Sequence, residues 1–342
     1  MTNQPTNQSS TWTRAAILGG GSFGTALAKL LSPKLDEIML LDLDEKLVGT
    51  INSEHRNPLY LKDISLPENI RATTKADDLV GFPLVLFVVP SAATRKVASA
   101  LYNAGLPAEA TLLSCAKGIE LDTGKRLSEV IAEFFPHSPI AVFSGPTHAE
   151  EIASDLTTCA VIGTTDQDLG RNLQNLFTLP HFRSYTSDDA AGIELGGALK
   201  NSYAIAAGIA HGLGLGDNAS AALVTRALAE LTRLGTRLGG RPETFTGLSG
   251  VGDLIVTCYS EHSRNHRVGF ALGQGATLRH ILENLGMVAE GVPNTRSIHR
   301  LARRLDIRTP ILDAVNDILF HDKPAAEVLT ELLSRDPRPE CG

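Results

Sequence analysis

Three glycines mark the first place where this chain could do chemistry. Gly19, Gly21 and Gly24 stand in Ile17–Leu18–Gly19–Gly20–Gly21–Ser22–Phe23–Gly24, directly after an apolar run. In a Gly-x-Gly-x-x-Gly set the first glycine permits a tight turn and the second lets the backbone approach a pyrophosphate. The third lets the following helix pack on the strand. The helix N-terminus then offers N–H groups and the positive end of its dipole to phosphates. A glycine-rich loop with no ligand is the plainer alternative; the strand–turn–helix context favours a dinucleotide. Asp42 lies 18 residues beyond Gly24, in Leu40–Leu41–Asp42–Leu43–Asp44. An acidic residue near there grips the adenosine ribose of NAD, and its charge repels the 2′-phosphate of NADP. A solvated helix cap is the alternative, and Asp44 could equally be the N-cap of the next helix.

A second group is spread along the rest of the chain. Lys200 sits in Gly196–Gly197–Ala198–Leu199–Lys200–Asn201, a small-residue segment with a helical pattern. Each glycine inside a helix costs about 1 kcal/mol against alanine, so such a segment makes sense where something approaches the backbone closely. A lysine desolvated there, or set beside another cation, loses basicity and can serve as acid or base near neutrality. A surface lysine is the alternative, disfavoured by the apolar and small neighbours. Lys117 follows the strand-like Leu112–Ser114, at the carboxyl edge where open α/β sheets bind ligands. Its charge could depress the pKa of Lys200. Asp253, after a glycine-rich turn, would by itself be an ordinary turn residue. Ser263–Arg264–Asn265 would by itself be a solvated loop, although arginine suits bidentate phosphate binding.

Two kinds of segment must position these residues. In the first half, strand-like runs alternate with helical patterns. Ala15–Leu18, Ile38–Leu41, Leu84–Val89, Leu112–Ser114, Ile140–Ser144 and Cys159–Ile162 read as strands. The helical pattern Gly24–Leu31 follows the first, and Thr94–Tyr102 and Arg126–Phe134 fall between later ones. The unbroken LVLFVV of Leu84–Val89 suits a strand buried on both faces. From about Asp188 helical patterns take over, at Ala190–Ala210, Ala219–Leu238, Arg267–Leu272 and Ala325–Leu333. The expectation is an α/β fold: an N-terminal Rossmann-like domain with a mostly parallel sheet over residues 13–188, then an all-helical domain over 189–342. Residues 1–12 are expected to form a disordered tail.

Bulk properties agree with a soluble enzyme. The chain has 342 residues, 43% hydrophobic and 20% charged, which suits two domains. The formal charge of −7 and the absence of a basic block argue against nucleic acid as the main partner. Cys115, Cys159, Cys258 and Cys341 form no metal-ligand spacing, so no metal is expected. The polar N-terminus does not read as a secretory signal, and no run of 18 or more apolar residues suggests a membrane span. A cytoplasmic setting is the default expectation.

Four further segments, in order after the glycine turn, carry a resemblance. They are Ser114–Cys115–Ala116–Lys117–Gly118–Ile119–Glu120, then Ser144–Gly145–Pro146–Thr147–His148–Ala149–Glu150–Glu151, then Leu199–Lys200–Asn201, then Gly250–Val251–Gly252–Asp253–Leu254 with Ser263–Arg264–Asn265. Together they resemble the bacterial-type NAD(P)-dependent glycerol-3-phosphate dehydrogenases, from about Ala15 to Leu333. Each motif is only suggestive; the ordered set is specific.

The resemblance implies reversible hydride transfer between sn-glycerol 3-phosphate and NAD(P)+, giving dihydroxyacetone phosphate, with the active site in a cleft between two domains. It implies Lys200 as general acid/base and a substrate site of Lys117, Gly145, Thr147, Lys200, Asp253, Ser263, Arg264 and Asn265. For the cofactor it implies Gly19, Gly21, Ser22, Phe23, Gly24, Asp42, Lys117, Ala149, Arg264, Val288 and Glu290. A homodimer and a supply of glycerol 3-phosphate for phospholipid synthesis also come with the family. In this chain Phe23 stands where many relatives carry tryptophan. Leu43 stands near where relatives that use NADPH place an arginine, which with Asp42 favours NAD over NADP. The alternatives are a Rossmann-type β-hydroxyacid dehydrogenase and a redox-sensing NAD-binding regulator without turnover.

Overall fold

The computed structural model describes residues 11–285, 288–336 and 339–340. Most of the expected tail and Cys341 lie outside the described residues. By spatial contact the chain forms two compact units. One comprises the residues up to Ala116 together with Arg126–Glu194, the other Lys117–Lys125 together with the residues from Leu195 onward. The division falls inside the helix Ala190–Gly212, a little beyond the start of the helical patterns.

The first unit is built on an eight-stranded sheet. In chain order its strands are β1 (Arg14–Leu18), β2 (Glu37–Leu41), β3 (Ile70–Thr73), β4 (Leu84–Phe87), β5 (Thr111–Ser114), β6 (Ile140–Ser144), β7 (Thr158–Gly163) and β8 (Phe182–Ser187). Across the sheet they run β3-β2-β1-β4-β5-β6-β7-β8. Every neighbouring pair is parallel except β6 with β7. This is the expected mostly parallel, doubly wound sheet, with the strand order reversing between β1 and β4.

The period-2 geometry of a strand explains the unbroken apolar runs. Ala15, Ile17, Leu84 and Leu86 face one core cluster, with Leu27, Leu47 and Leu173 from the helices on that side. Ala16, Leu18, Val85 and Phe87 face the other, with Ala98, Leu101 and Ile131. A strand covered on both faces needs apolar residues at every position. β3 and β8 carry no such run. They are the edge strands, and β8 alternates buried Phe182 and Ser184 with exposed Arg183 and Tyr185. Trp12, expected within the tail, is 6% exposed and packs in the first cluster. Its large apolar surface is better covered against the sheet than left in water.

The second unit is helical and centres on Ala190–Gly212. Every residue from Glu194 to Ala210 is buried, so from Leu195 this unit's central helix is covered all round. Its glycines let other backbone segments come close. A Cβ on Gly196 would lie 2.5 Å from the Ser249 carbonyl oxygen, and one on Gly208 would lie 2.1 Å from that of His266. From the opposing helix Arg264–Gly273, a Cβ on Gly269 would lie 2.0 Å from the carbonyl oxygen of Ile205. Gly208 and Gly269 are therefore steric requirements of this helix pair, which crosses at backbone contact.

Two opposed effects meet in Gly269→Ala. Alanine is the better helix former by about 1 kcal/mol, but its methyl must displace a backbone carbonyl, and overpacking costs roughly 1–3 kcal/mol or more. The clash should win. Gly269→Ala should lower the urea midpoint relative to the parent protein; an unchanged or raised midpoint would show that the helices separate freely.

Candidate functional site

The glycine turn leaves β1 at its carboxyl end. Gly19 has φ +112°, a conformation that favours glycine. A Cβ on Gly24 would lie 1.9 Å from the Gly19 carbonyl oxygen, so the third glycine is needed for the helix Ser22–Leu31 to start where it does. A Cβ on Gly21 would meet nothing within 4 Å. The turn is thus crowded at Gly24 and open at Gly21, the shape a pyrophosphate lying over Gly21 requires. Ser22 is the first residue of the helix, and Phe23 packs toward Phe143 with ring centres 6.3 Å apart.

Asp42 follows β2 at the same edge. Its Oδ2 accepts from the Gly20 N–H at 3.0 Å and its Oδ1 from the Asp44 N–H at 3.0 Å. Asp44 caps the helix Glu45–Glu54, accepting from the Lys46 and Leu47 N–H groups. The two aspartates therefore divide the roles that the sequence left open: Asp44 is the cap and Asp42 faces the turn. Between them Leu43 is 81% exposed. Further along the first unit, Gly145 has φ +138° and lies against the Ala160 backbone. The Thr147 hydroxyl donates to the Gly145 carbonyl at 3.0 Å, and Ala149 begins the short helix Ala149–Ala153.

The second unit holds the charged cluster. Asp253 is 1% exposed and lies between two lysines. Its Oδ2 accepts from Lys117 Nζ at 2.7 Å and its Oδ1 from Lys200 Nζ at 2.7 Å. Lys200 is 5% exposed, and its Nζ also donates to the Thr257 hydroxyl at 2.5 Å. Burial drives the Lys200 pKa down, Asp253 opposes it and Lys117 reinforces it, leaving the ammonium at about 8. Burial alone would raise the Asp253 pKa, but the two lysines outweigh it and hold the carboxyl below its usual range. Burial pushes the neighbouring Cys258 thiol up to about 12, so it stays protonated near neutrality. A π-helical turn, Leu248–Gly252, leads into Asp253. Such turns recur at functional positions.

The chain neighbours of Lys200 and Arg264 meet through side-chain amides. Asn201, next to Lys200, accepts through Oδ1 from Asn265 Nδ2 at 2.9 Å, and Asn265 Oδ1 accepts from the Gly291 N–H at 2.9 Å. Ser263 caps the helix Arg264–Gly273, its hydroxyl accepting from the His266 N–H. Arg264 donates to the Val288 carbonyl at 2.9 Å. Val288 is 50% exposed, and Glu290 stands at the N-cap of the helix Gly291–Arg304. Asp253 thus joins Lys117 and Lys200 directly, Asn265 meets Asn201 beside Lys200, and Arg264 meets Val288. In the first unit, Gly19, Gly21, Gly24 and Asp42 form one group and Gly145, Thr147 and Ala149 another.

Two residues of the cluster escape a reading of the sequence. Thr257 touches Lys200, and its only signal is that it follows Asp253 by four positions on one helix. Asn294 is 1% exposed; its Nδ2 donates to the Lys117 carbonyl at 2.9 Å and its Oδ1 accepts from the Ile119 N–H at 3.3 Å. It holds the Lys117 loop, and nothing in its sequence neighbourhood marks it.

Comparison with known proteins follows the same division of the chain. Residues 14–170 match the N-terminal model, and residues 189–330 the C-terminal model, of the NAD-dependent glycerol-3-phosphate dehydrogenases. A glycerol-3-phosphate dehydrogenase [NAD(P)+] of Enterococcus faecalis is 45% identical over 332 residues, covering 96% of this chain and 97% of its own length. The protein of that name from Clostridium tetani is 43% identical over 325 residues, covering 95% of this chain and 93% of its own length. The crystal structure of glycerol-3-phosphate dehydrogenase from Coxiella burnetii superposes with a TM-score of 0.91 at 37% identity, over 95% of this chain and 99% of that one. With both halves matched and relatives this similar over almost their whole length, the chain belongs to the NAD-dependent glycerol-3-phosphate dehydrogenase family.

Proposed function

We propose that this protein is an NAD(P)-dependent glycerol-3-phosphate dehydrogenase that interconverts sn-glycerol 3-phosphate and dihydroxyacetone phosphate, with Lys200 as general acid/base. The observation that carries the reading is the buried Lys117–Asp253–Lys200 cluster. Reducing the ketone needs a proton at its oxygen, and oxidising the alcohol needs a base for its hydroxyl proton. Lys200, with a pKa of about 8, can hold or release that proton near physiological pH. Asp253 fixes the Lys200 ammonium through Oδ1 and Lys117 through Oδ2. When bound, the nicotinamide supplies or accepts the hydride.

Arg264 is suited to the substrate phosphate, as a planar cation with several donors. Gly145, Thr147, Ser263 and Asn265 complete the substrate site in this reading. Ser22, Phe23, Ala149, Lys117, Arg264, Val288 and Glu290 join Gly19, Gly21, Gly24 and Asp42 on the cofactor side. The open face of Gly21 and the Asp42 carboxylate fit a dinucleotide. A partly buried carboxylate beside an exposed Leu43, with no cation at either position, favours NADH over NADPH. Family membership supports a homodimer in the cytoplasm that supplies glycerol 3-phosphate for phospholipid synthesis. No helix among the described residues is long and apolar enough to cross a membrane.

The direct test is steady-state turnover of dihydroxyacetone phosphate with each cofactor. The expected result is turnover with a higher kcat/KM for NADH than for NADPH. A strong NADPH preference would overturn the role of Asp42, and turnover of a β-hydroxyacid instead of the phosphorylated ketone would overturn the substrate. Lys200→Ala should lower kcat at least about a hundredfold while NADH still binds, since general acid–base catalysis contributes roughly 10²–10⁴-fold; near-normal kcat refutes the assignment. The pH profile has a defined sign. Only the ammonium form donates, so kcat/KM for ketone reduction should fall as pH rises through about 8, and alcohol oxidation should rise over the same interval. Asp253→Asn removes the charge that keeps the proton on Lys200 and should move the break to lower pH. A flat profile from pH 7 to 9 in the parent protein would exclude Lys200 as the titrating group.

A further inference from the structure

Asn57 is fully buried, in the short segment Arg56–Asn57–Pro58–Leu59–Tyr60, and no step of the proposed chemistry uses it. Its side chain meets the glycine turn. Nδ2 donates to the Gly20 carbonyl at 2.8 Å and to the Thr25 hydroxyl at 2.8 Å. Oδ1 accepts from the Leu59 N–H at 3.2 Å and the Tyr60 N–H at 3.0 Å. The Thr25 hydroxyl donates in turn to the same Gly20 carbonyl at 3.2 Å. Both donors and both acceptor positions of the amide are thereby engaged. The orientation is forced, because a flipped amide would set its oxygen against a carbonyl and its NH₂ against two N–H groups.

We propose that Asn57 is the positioning residue of the phosphate turn: it fixes the Gly20–Gly21 peptide plane so that the Gly21 N–H faces the cofactor pyrophosphate. This rests on the reading that the turn takes a dinucleotide. In a planar trans peptide the C=O of one residue and the N–H of the next point in opposite directions. The Gly20 carbonyl is held inward by Asn57 and Thr25, so the Gly21 N–H is turned outward, at the residue whose added Cβ would meet nothing within 4 Å. On the other side of the same residue, Asp42 Oδ2 holds the Gly20 N–H. Three consecutive glycines have the greatest backbone freedom of any tripeptide. Without these ties, ordering the turn would draw on cofactor binding energy; with them the donor is set before the cofactor arrives.

The decisive variant is Asn57→Asp. It keeps an oxygen for the Leu59 and Tyr60 N–H groups, so the local turn survives, but it sets an acceptor against the Gly20 carbonyl. Thr25→Val is the milder companion, removing the second donor without changing side-chain shape. Asn57→Asp should raise the NADH Kd, read by cofactor fluorescence, and the NADH KM by about tenfold or more. At saturating NADH its kcat should stay within about twofold of the parent, and the KM for dihydroxyacetone phosphate should not move. Thr25→Val should shift the same two constants in the same direction by a smaller factor. An unchanged NADH Kd in a folded Asn57→Asp protein overturns the proposal. So does a fall in kcat with unchanged NADH KM, the signature of a purely structural role. Should Asn57→Asp fail to fold, Thr25→Val decides, and an unchanged Kd there overturns the proposal. A parent protein that binds NADH but does not turn over the phosphorylated ketone would refute the functional reading and leave the Asn57 measurement intact.

Discussion

A buried carboxylate held between two ammonium groups governs the helical unit. Asp253 is almost wholly out of water, and a lone charge there would be expensive. Its cost is offset only if both oxygens meet cations at close range, and they do, at 2.7 Å each. Lys117, Lys200 and Asp253 come from a loop, the central helix and a helix entered through a π-turn, so their convergence fixes three segments relative to one another. Much of the rest of this unit can be seen as what makes that convergence possible. Gly196 admits the Ser249 carbonyl just ahead of the Asp253 helix, and Asn294 pins the backbone of the Lys117 loop.

Burial and charge together set the basicity of Lys200, on which the proposed acid/base role depends. Burial lowers the basicity of Lys200, the Asp253 charge opposes that fall and the Lys117 charge adds to it. Without Lys117, the Asp253 charge would offset more of the effect of burial and hold the proton on Lys200 more tightly. With Lys117 and no Asp253, the amine would lose its proton too early. With both present the Lys200 pKa falls to about 8, as the proposed role requires. Arg264 stands apart from this balance. Its guanidinium is tied to the Val288 carbonyl, and Asn265 connects its helix to Asn201, the neighbour of Lys200 on the central helix.

How far this could be read from the sequence follows from the range over which each interaction acts. The unbroken Leu84–Phe87 run and the glycine turn were legible because strand period and turn sterics are local rules. The edge strands β3 and β8 were not, since a strand with one open side carries no continuous apolar signal. Lys117 and Asp253 are 136 positions apart, and only the ordered resemblance placed them in one site; no local rule brings them together. Asn294 and Asn57 were invisible for a different reason. Each is a buried amide that holds backbone of a distant segment, Asn294 at Lys117 and Ile119 and Asn57 at Gly20, and a single asparagine in sequence carries no trace of that. Residues 117–125 likewise carry no periodicity that would assign them to the helical unit, yet they pack there because Lys117 must reach Asp253.

Under the proposed reading, Asp42 couples cofactor choice to turn geometry. One oxygen accepts from the Gly20 N–H and the other from the Asp44 N–H, so the carboxylate is part of the turn before any ribose arrives. Each oxygen retains a second lone pair with which to accept a ribose hydroxyl. Replacing Asp42 with a neutral or cationic residue to admit a 2′-phosphate would remove the repulsion but also release the Gly20 N–H. That would loosen the peptide which Asn57 and Thr25 hold from the other side. The exposed Leu43 carries no such duty: 81% of its surface is open. A change of cofactor preference through Leu43 alone would therefore leave the phosphate turn intact, whereas one through Asp42 would weaken the site for both cofactors. The physical reason is that Asp42, proposed as the group that selects the cofactor, also holds the glycine turn in shape.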